Sequence, residues 1–397
     1  MPETGTWTTV CATSVAGGEE AFARLGRVVM VPEAEINASV LRGAQALVTR
    51  SKVKVTEALL ADSSLRFYGT ATAGTDHVDI AALERRGIAW SEAAGSNANS
   101  VAEYVLCALA HLGLARGMVW RGKTLAIIGA GHVGSRLAEL APSLGLRVLL
   151  NDPPLRDRTG NPAYRPLAEV LAEADLVSLH VPLTDHGPHP TRGMADAVFL
   201  ASMKPGAVFI NASRGEVVVE SALRLAAARG AFAAVILDVF DHEPDIDLTT
   251  LQLADLASPH IAGYSLDGRL KGTELVYRAA CRLRGVDPVW HPPSAAHPTS
   301  IELPAGVVGD VLVQHALLGA YHPMRDDERL RALPVGVPMR THFQALRHAY
   351  PERREFPHFQ VDAARCDDAA AMALRRLGFA VTDFRFTSSG GRRSMAT

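Results

Sequence analysis

Apolar residues in the middle of the chain fall into short runs rather than helical stripes. Leu125–Ile128, Val148–Leu150, Leu176–Leu179, Ala207–Ile210 and Val235–Leu237 are separated by longer stretches of mixed pattern. A run so short and so uniformly apolar suits a strand buried on both faces, and the stretches between are long enough for crossover helices. The alternation predicts an α/β fold with a doubly wound parallel sheet, whose ligands collect at the C-terminal strand ends. A weaker version occupies the first hundred residues, where Ala46–Val48 leads into Arg50 and Ser51, and Phe67–Thr70 leads into Thr72 and Gly74-Thr75-Asp76. The helical-looking segment Ser100–Leu114 joins the two α/β units and leaves a cleft between them. Beyond about Gly285, Pro288, Pro292, Pro293, Pro298 and Pro304 mark a linker. A third unit follows, with strand-like His358–Val361, helical Asp368–Leu377 and strand-like Phe379–Phe384. The tail from Ser388 is expected to be disordered.

Composition narrows the class. The 397 residues exceed what one core organises, and 48% hydrophobic against 21% charged residues is a globular balance. A net charge of −2 and a pI near 6.7 give no reason to expect nucleic acid as a partner. Cys11, Cys107, Cys281 and Cys366 are far apart, which fits reduced thiols better than a disulfide framework or a zinc site. The segment MPETGTWTTV lacks the basic flank and apolar run of a secretory signal, and no stretch comes near the roughly 20 apolar residues that span a bilayer. A cytoplasmic protein with no membrane partner is expected.

The strongest motif is Gly129-Ala130-Gly131-His132-Val133-Gly134. It directly follows an apolar strand and opens the helical pattern SRLAELAPSLG. Glycines there allow a tight turn and a close backbone approach, so that a pyrophosphate rests on the helix N-terminus. The next strand delivers Asp152, 18 residues after Gly134, where a carboxylate binds ribose hydroxyls and repels a 2′-phosphate. NAD is therefore the expected cofactor.

Three side chains at strand ends carry candidate chemistry. Arg214 follows AVFIN-Ala212-Ser213 and offers a planar fork for a carboxylate. Glu243 follows VILD, and His260 ends LASPH. Each alone reads as a structural residue, but together beside a dinucleotide turn they suit alcohol oxidation. An imidazole takes the hydroxyl proton and a carboxylate fixes its tautomer. Arg50, Ser51 and Tyr264 add donors for a phosphate. Asp76-His77-Val78-Asp79 and the segment His180 to His189 look metal-like but lack ligand spacing, so no metal is expected. Asp76 reads instead as a helix cap.

The order GAGHVG, Asp152, NASRG, LDVFDHEP and SPHIAGYS resembles the D-isomer-specific 2-hydroxyacid dehydrogenases. The resemblance implies two Rossmann-like domains, a catalytic set of Arg214, Glu243 and His260, and NAD contacts at Gly129, Gly131, His132, Val133, Gly134, Asp152, Val181, Ala212, Ser213, Arg214, Asp238 and Gly263. Substrate contacts are implied at Arg50, Ser51, Thr72 and Tyr264. TRSKVKVTEALL, YGTATAGTDHVD, AAGSNANSVAEYV, YPERREF and CDDAAAMALRRLGF are similar to one branch of the family. That branch acts on a four-carbon phosphorylated hydroxy acid on a route to pyridoxal phosphate and carries a C-terminal α+β dimerisation domain. The implied division is a substrate-binding domain at 1–99 completed by 262–286, an NAD-binding domain at 100–261 and a dimerisation domain at 287–397, in a homodimer. Arg353 and Arg354 either reach the partner's site or form an exposed basic turn. The chain departs from the family at Ala12-Thr13-Ser14, at Val181 and near Gly193. A 3-phosphoglycerate or glyoxylate-type dehydrogenase, or an NAD-responsive binding protein, remains an alternative.

Overall fold

The computed structural model describes residues 7–293 and 297–382, so the tail from Ser388 lies outside the described residues. Its first sheet contains β1 (Thr8–Ala12), β2 (Arg27–Val31), β3 (Ala46–Thr49), β4 (Phe67–Thr70) and β5 (Ala89–Glu92), all parallel in the order β2-β1-β3-β4-β5. The second contains β6 (Thr124–Ile128), β7 (Arg147–Asn151), β8 (Leu176–Leu179), β9 (Ala207–Asn211), β10 (Phe232–Leu237) and β11 (Leu256–Ala257), in the order β11-β10-β9-β8-β6-β7. Each of the five mid-chain apolar runs lies in one of its strands. β6, β8 and β9 are buried along their whole length, which explains their unbroken apolar sequence.

Register decides where the functional residues emerge. Ile128 pairs with Leu179, Leu179 with Asn211, Asn211 with Leu237, and Leu237 with Ala257. Strands ending in step place Gly129, Val181, Ala212 to Arg214, Asp238 and His260 along one edge of one sheet. Both sheets reverse direction of growth next to their first strand, leaving a crevice between β1 and β3 and another between β6 and β8.

The long helix Ala98–Arg116 and the helix Leu266–Arg284 join the two halves. The second packs on the first sheet, where Val276, Tyr277 and Ala280 share a core with Cys11, Phe22 and Phe67. The approach is so close that a Cβ on Gly69 would lie 2.1 Å from Val276. One expectation needs correcting: helix Ala98–Arg116 is long and apolar enough to cross a membrane, although no such stretch was expected. Most of it is buried inside the protein, packed against the β-sheet, neighbouring helices and the C-terminal unit.

The C-terminal unit holds a third parallel sheet, β12 (Thr299–Ser300), β13 (Phe359–Asp362) and β14 (Ala380–Thr382), in the order β12-β13-β14. Helices Gly309–Ala320, Met324–Arg331, Met339–His348 and Asp368–Leu377 accompany it. Its core continues into that of the second sheet, with Leu312, Leu317 and Phe356 packed in one cluster with Leu106, Leu109 and Ile127. Arg353 lies in neither of its expected places. It is only 5% exposed, donates to Ala262 O at 3.0 Å and Ser100 O at 2.7 Å of its own chain, and stacks over Tyr321. Arg354 pairs with Asp267.

Candidate active site

The glycine turn is built for close approach. Gly129 has φ +92°, and a Cβ there would come 2.6 Å from His180 O. A Cβ on Gly134 would lie 1.9 Å from Gly129 O, so only glycine lets the helix His132–Leu140 start against β6. At Gly131, by contrast, a Cβ would meet open space, the direction from which a dinucleotide approaches. Asp152 stands at the end of β7 and accepts from Ala130 N at 2.8 Å and Leu155 N at 2.9 Å. A cavity of about 810 Å³ opens here, lined by Gly95, Ser96, Ala130, Gly131, His132 and Leu155 among others. Open space at Gly131, a helix N-terminus and a carboxylate at the neighbouring strand end fit NAD.

A second cavity, of about 840 Å³, shares Ser96 with the first. Arg214, Glu243, His260, Gly263 and Tyr264 line it from one side, and Arg50, Ser51 and Thr72 from the other. The structure thus brings together all three catalytic candidates and all four substrate candidates.

His260 sits in a turn held from below. Its φ is +56°, and its backbone N–H donates to Asp238 O at 2.7 Å. The Asp238 carboxylate accepts from Ile261 N at 2.8 Å, Ala262 N at 3.0 Å and Ser258 Oγ at 2.6 Å. Burial raises the Asp238 pKa, against the opposing pull of nearby His260. Expected as a cofactor contact, Asp238 is 2% exposed and its oxygens are engaged in forming this turn. His260 Nδ1 lies 2.7 Å from Glu243 Oε2, while Phe240 N donates to Glu243 Oε1 at 2.9 Å. Burial opposes charge on Glu243, yet the His260 ring, the Phe240 N–H and Arg347 together outweigh it and the carboxyl stays below its ordinary pKa. An ionised acceptor at Nδ1 keeps the proton on that nitrogen, so Nε2 is the basic one.

Arg214 donates from Nη1 to Ser213 O at 2.9 Å, and from Nε and Nη2 to Asp76 at 3.2 and 3.1 Å. Asp76 is therefore not the helix cap that its position suggested. Asp79 is, accepting from Ala82 N at 2.9 Å at the start of helix Ile80–Arg85. His77 Nε2 instead meets Thr70 Oγ1, which in turn bonds Thr72. The half-buried His180 lies beside Ser178, and burial of its ring pushes its pKa down to about 3. His189 faces Asp157, so the ends of that histidine-rich segment serve different neighbours.

The remaining positions are held by local contacts. Val181 packs beside Gly129, Ser213 bonds Asn211, and Gly263 lies so near Asn97 that a Cβ would come 2.6 Å from its side chain. At the first departure, Ser14 presents its backbone carbonyl to Arg269 at 3.2 Å. Near the third, Gly193 has φ +65° and its N–H donates to Glu216 O. Sequence reasoning missed Asp76 as partner of Arg214, and it missed Arg269 and Arg347, which also line the second cavity. Only a close run of basic residues, Arg269 with Lys271, hinted at either.

Fold and site together define an NAD-binding dehydrogenase of the 2-hydroxyacid class. Residues 113–262 match the family described as D-isomer specific 2-hydroxyacid dehydrogenase, NAD binding domain, and residues 298–378 match a domain of unknown function, DUF3410. Among solved structures, the chain is similar to D-lactate dehydrogenase from Aquifex aeolicus, complexed with NAD and lactic acid. That match has 25% identity and a TM-score of 0.52, and covers 70% of this chain and 96% of that one. Among characterised sequences it is 42% identical over 369 residues to erythronate-4-phosphate dehydrogenase from Edwardsiella ictaluri, covering 91% of this chain and 96% of the relative. The same enzyme from Yersinia enterocolitica is 40% identical over 375 residues. The chain belongs to the erythronate-4-phosphate dehydrogenase family.

Asp152 supports a first prediction. Asp152→Ala is expected to reduce the preference for NAD over NADP by about tenfold or more, because a carboxylate at this strand end repels the 2′-phosphate. Steady-state kinetics with both cofactors would check it, and an unchanged ratio would mean that discrimination resides elsewhere.

Proposed function

We propose that this protein oxidises 4-phospho-D-erythronate at C2 to the 2-oxo acid, with NAD, on a route to pyridoxal phosphate. The observation that carries this reading is the second cavity, where a His–carboxylate dyad and Arg214 face a cationic wall. His260 Nε2 takes the proton of the C2 hydroxyl, and Glu243 stabilises the imidazolium that results. Arg214 holds the C1 carboxylate and polarises the forming carbonyl. NAD, when bound, supplies the hydride acceptor. Gly129, Gly131, Gly134 and the N-terminus of helix His132–Leu140 would hold its pyrophosphate, and Asp152 its ribose. Arg50, Ser51 and Tyr264 serve the phosphate end.

Reduced, mostly buried cysteines suit a cytoplasmic enzyme. We also place dimerisation in the C-terminal unit, whose exposed Val308, Val311 and Met372 offer apolar surface. Light scattering of the purified chain would read a dimer, and a monomer would remove that assignment. For the activity, purified protein is assayed with 4-phosphoerythronate and 3-phosphoglycerate side by side, with a 2-oxo acid present to reoxidise NADH. A higher kcat/KM on the four-carbon acid supports the reading. Preference for the three-carbon acid, or cofactor binding with no turnover, would overturn it.

A further inference from the structure

Beside the catalytic cavity lies a smaller one of about 390 Å³, at the crevice between β1 and β3. Besides Arg353, whose guanidinium is engaged by Ala262 O and Ser100 O, three guanidinium groups line it: Arg50 from the end of β3, Arg269 from helix Leu266–Arg284, and Arg347 from helix Met339–His348 of the C-terminal unit. All three also line the catalytic cavity, so the two spaces meet at these side chains.

The hydrogen bonding of this cluster is incomplete. The Nε atoms of Arg50, Arg269 and Arg347 are buried and have no hydrogen-bond partner among the described residues. Arg50 makes no side-chain hydrogen bond or ion pair there, and its guanidinium lies 5.7 Å from the Tyr264 ring centre. Among the described residues, Arg269 donates only to Ser14 O, and Arg347 only to the Tyr264 hydroxyl, at 3.0 Å. Two carboxylates, Glu33 and Glu352, share the wall, but Glu352 is already engaged by Arg354. A buried N–H donor without a partner is costly, and three positive charges facing one space favour an anion between them. Guanidinium forks match the tetrahedral oxygens of a phosphate.

We infer that Arg347, with Arg269 and Arg50, seats the terminal phosphate of the substrate, so that the C-terminal unit determines substrate specificity within its own chain. This rests on the phosphorylated-acid reading above and deepens it. Helix Met339–His348 is held in place for the task, since the adjacent His348 meets Lys52 Nζ at 2.9 Å on the loop after β3. Losing Arg347 should weaken recognition of the phosphate most, with a smaller effect on proton transfer at C2, since its charge also favours the ionised form of Glu243.

The test uses the full chain and three probes: 4-phosphoerythronate, unphosphorylated D-erythronate, and inorganic phosphate as inhibitor. For Arg347→Ala, KM for the phosphorylated acid should rise on the order of 10- to 100-fold with a much smaller fall in kcat, as expected for one charged hydrogen-bonding group. kcat/KM for D-erythronate should fall far less than for the phosphorylated acid, and the Ki of inorganic phosphate should rise with KM. Arg347→Lys should recover part of the loss, which a misfolded site would not allow. Equal losses on both acids, or an unchanged phosphate Ki, would overturn the assignment. If the wild-type protein shows no preference for the phosphorylated acid, the substrate reading fails by itself. The phosphate Ki of the variant then still decides whether this cavity is an anion seat.

Discussion

Replacing His260 should lower kcat by about 10²- to 10⁴-fold, the range spanned by positioned general bases, while leaving the NAD dissociation constant within about threefold of wild type. The separation is expected because His260 faces the second cavity, whereas the glycine turn faces the first. The choice of substituent matters. His260 has φ +56°, a conformation in which alanine is strained and asparagine is more comfortable, so His260→Asn is the cleaner variant. Its backbone N–H can keep the bond to Asp238 O, and the turn survives while the base is gone. Glu243→Gln should fall between the two, since it keeps the shape of the dyad and removes the charge that stabilises the imidazolium. Pre-steady-state hydride transfer would read the chemical step directly. A His260→Asn enzyme within about tenfold of wild type would mean that another group takes the proton.

Most of the second sheet was legible in the sequence because burial on both faces forces unbroken apolar runs, and Leu176–Leu179 matches its strand end for end. The margins were not, because Arg147 and Asn151 belong to β7 through backbone pairing and not through apolarity. β11 has only two residues, too short for any pattern, yet its pairing with β10 places the turn that carries His260. The catalytic set could be read because each member follows a strand, and strands ending in step must bring their successors together. Asp76 and Asp79 show the opposite limit. Both precede the same helix, and local spacing cannot decide which one caps it. The bond to Arg214 that claims Asp76 spans 138 residues. Arg347 was invisible for the same reason, being one basic residue on an amphipathic helix whose partner, Tyr264, lies 83 residues away. Its placement depends on packing between the C-terminal unit and the core of the second sheet, where Phe343 is buried, and periodicity does not encode that.

Arg214→Lys is the second large effect expected, a fall in kcat/KM of about 10²- to 10³-fold. Lysine keeps the charge but offers a point donor in place of a fork, so it cannot hold a carboxylate in two places and also support the forming carbonyl. Stability should change little. The Asp76 side chain is 63% exposed, so water replaces the lost contact and the cost stays below about 1 kcal/mol. The complication is that Arg214 now spends two donors on Asp76, and a loss on Arg214→Lys could reflect that contact instead of substrate binding. Asp76→Asn separates the cases. If Asp76 merely competes with the substrate for the fork, weakening it should leave kcat intact and lower KM or leave it unchanged. If Asp76 orients Arg214 for catalysis, Asp76→Asn should reproduce much of the loss seen in Arg214→Lys. Should Arg214→Lys itself stay within about tenfold of wild type, the carboxylate is held elsewhere, and Lys52 and Lys54 are further cations on the cavity wall.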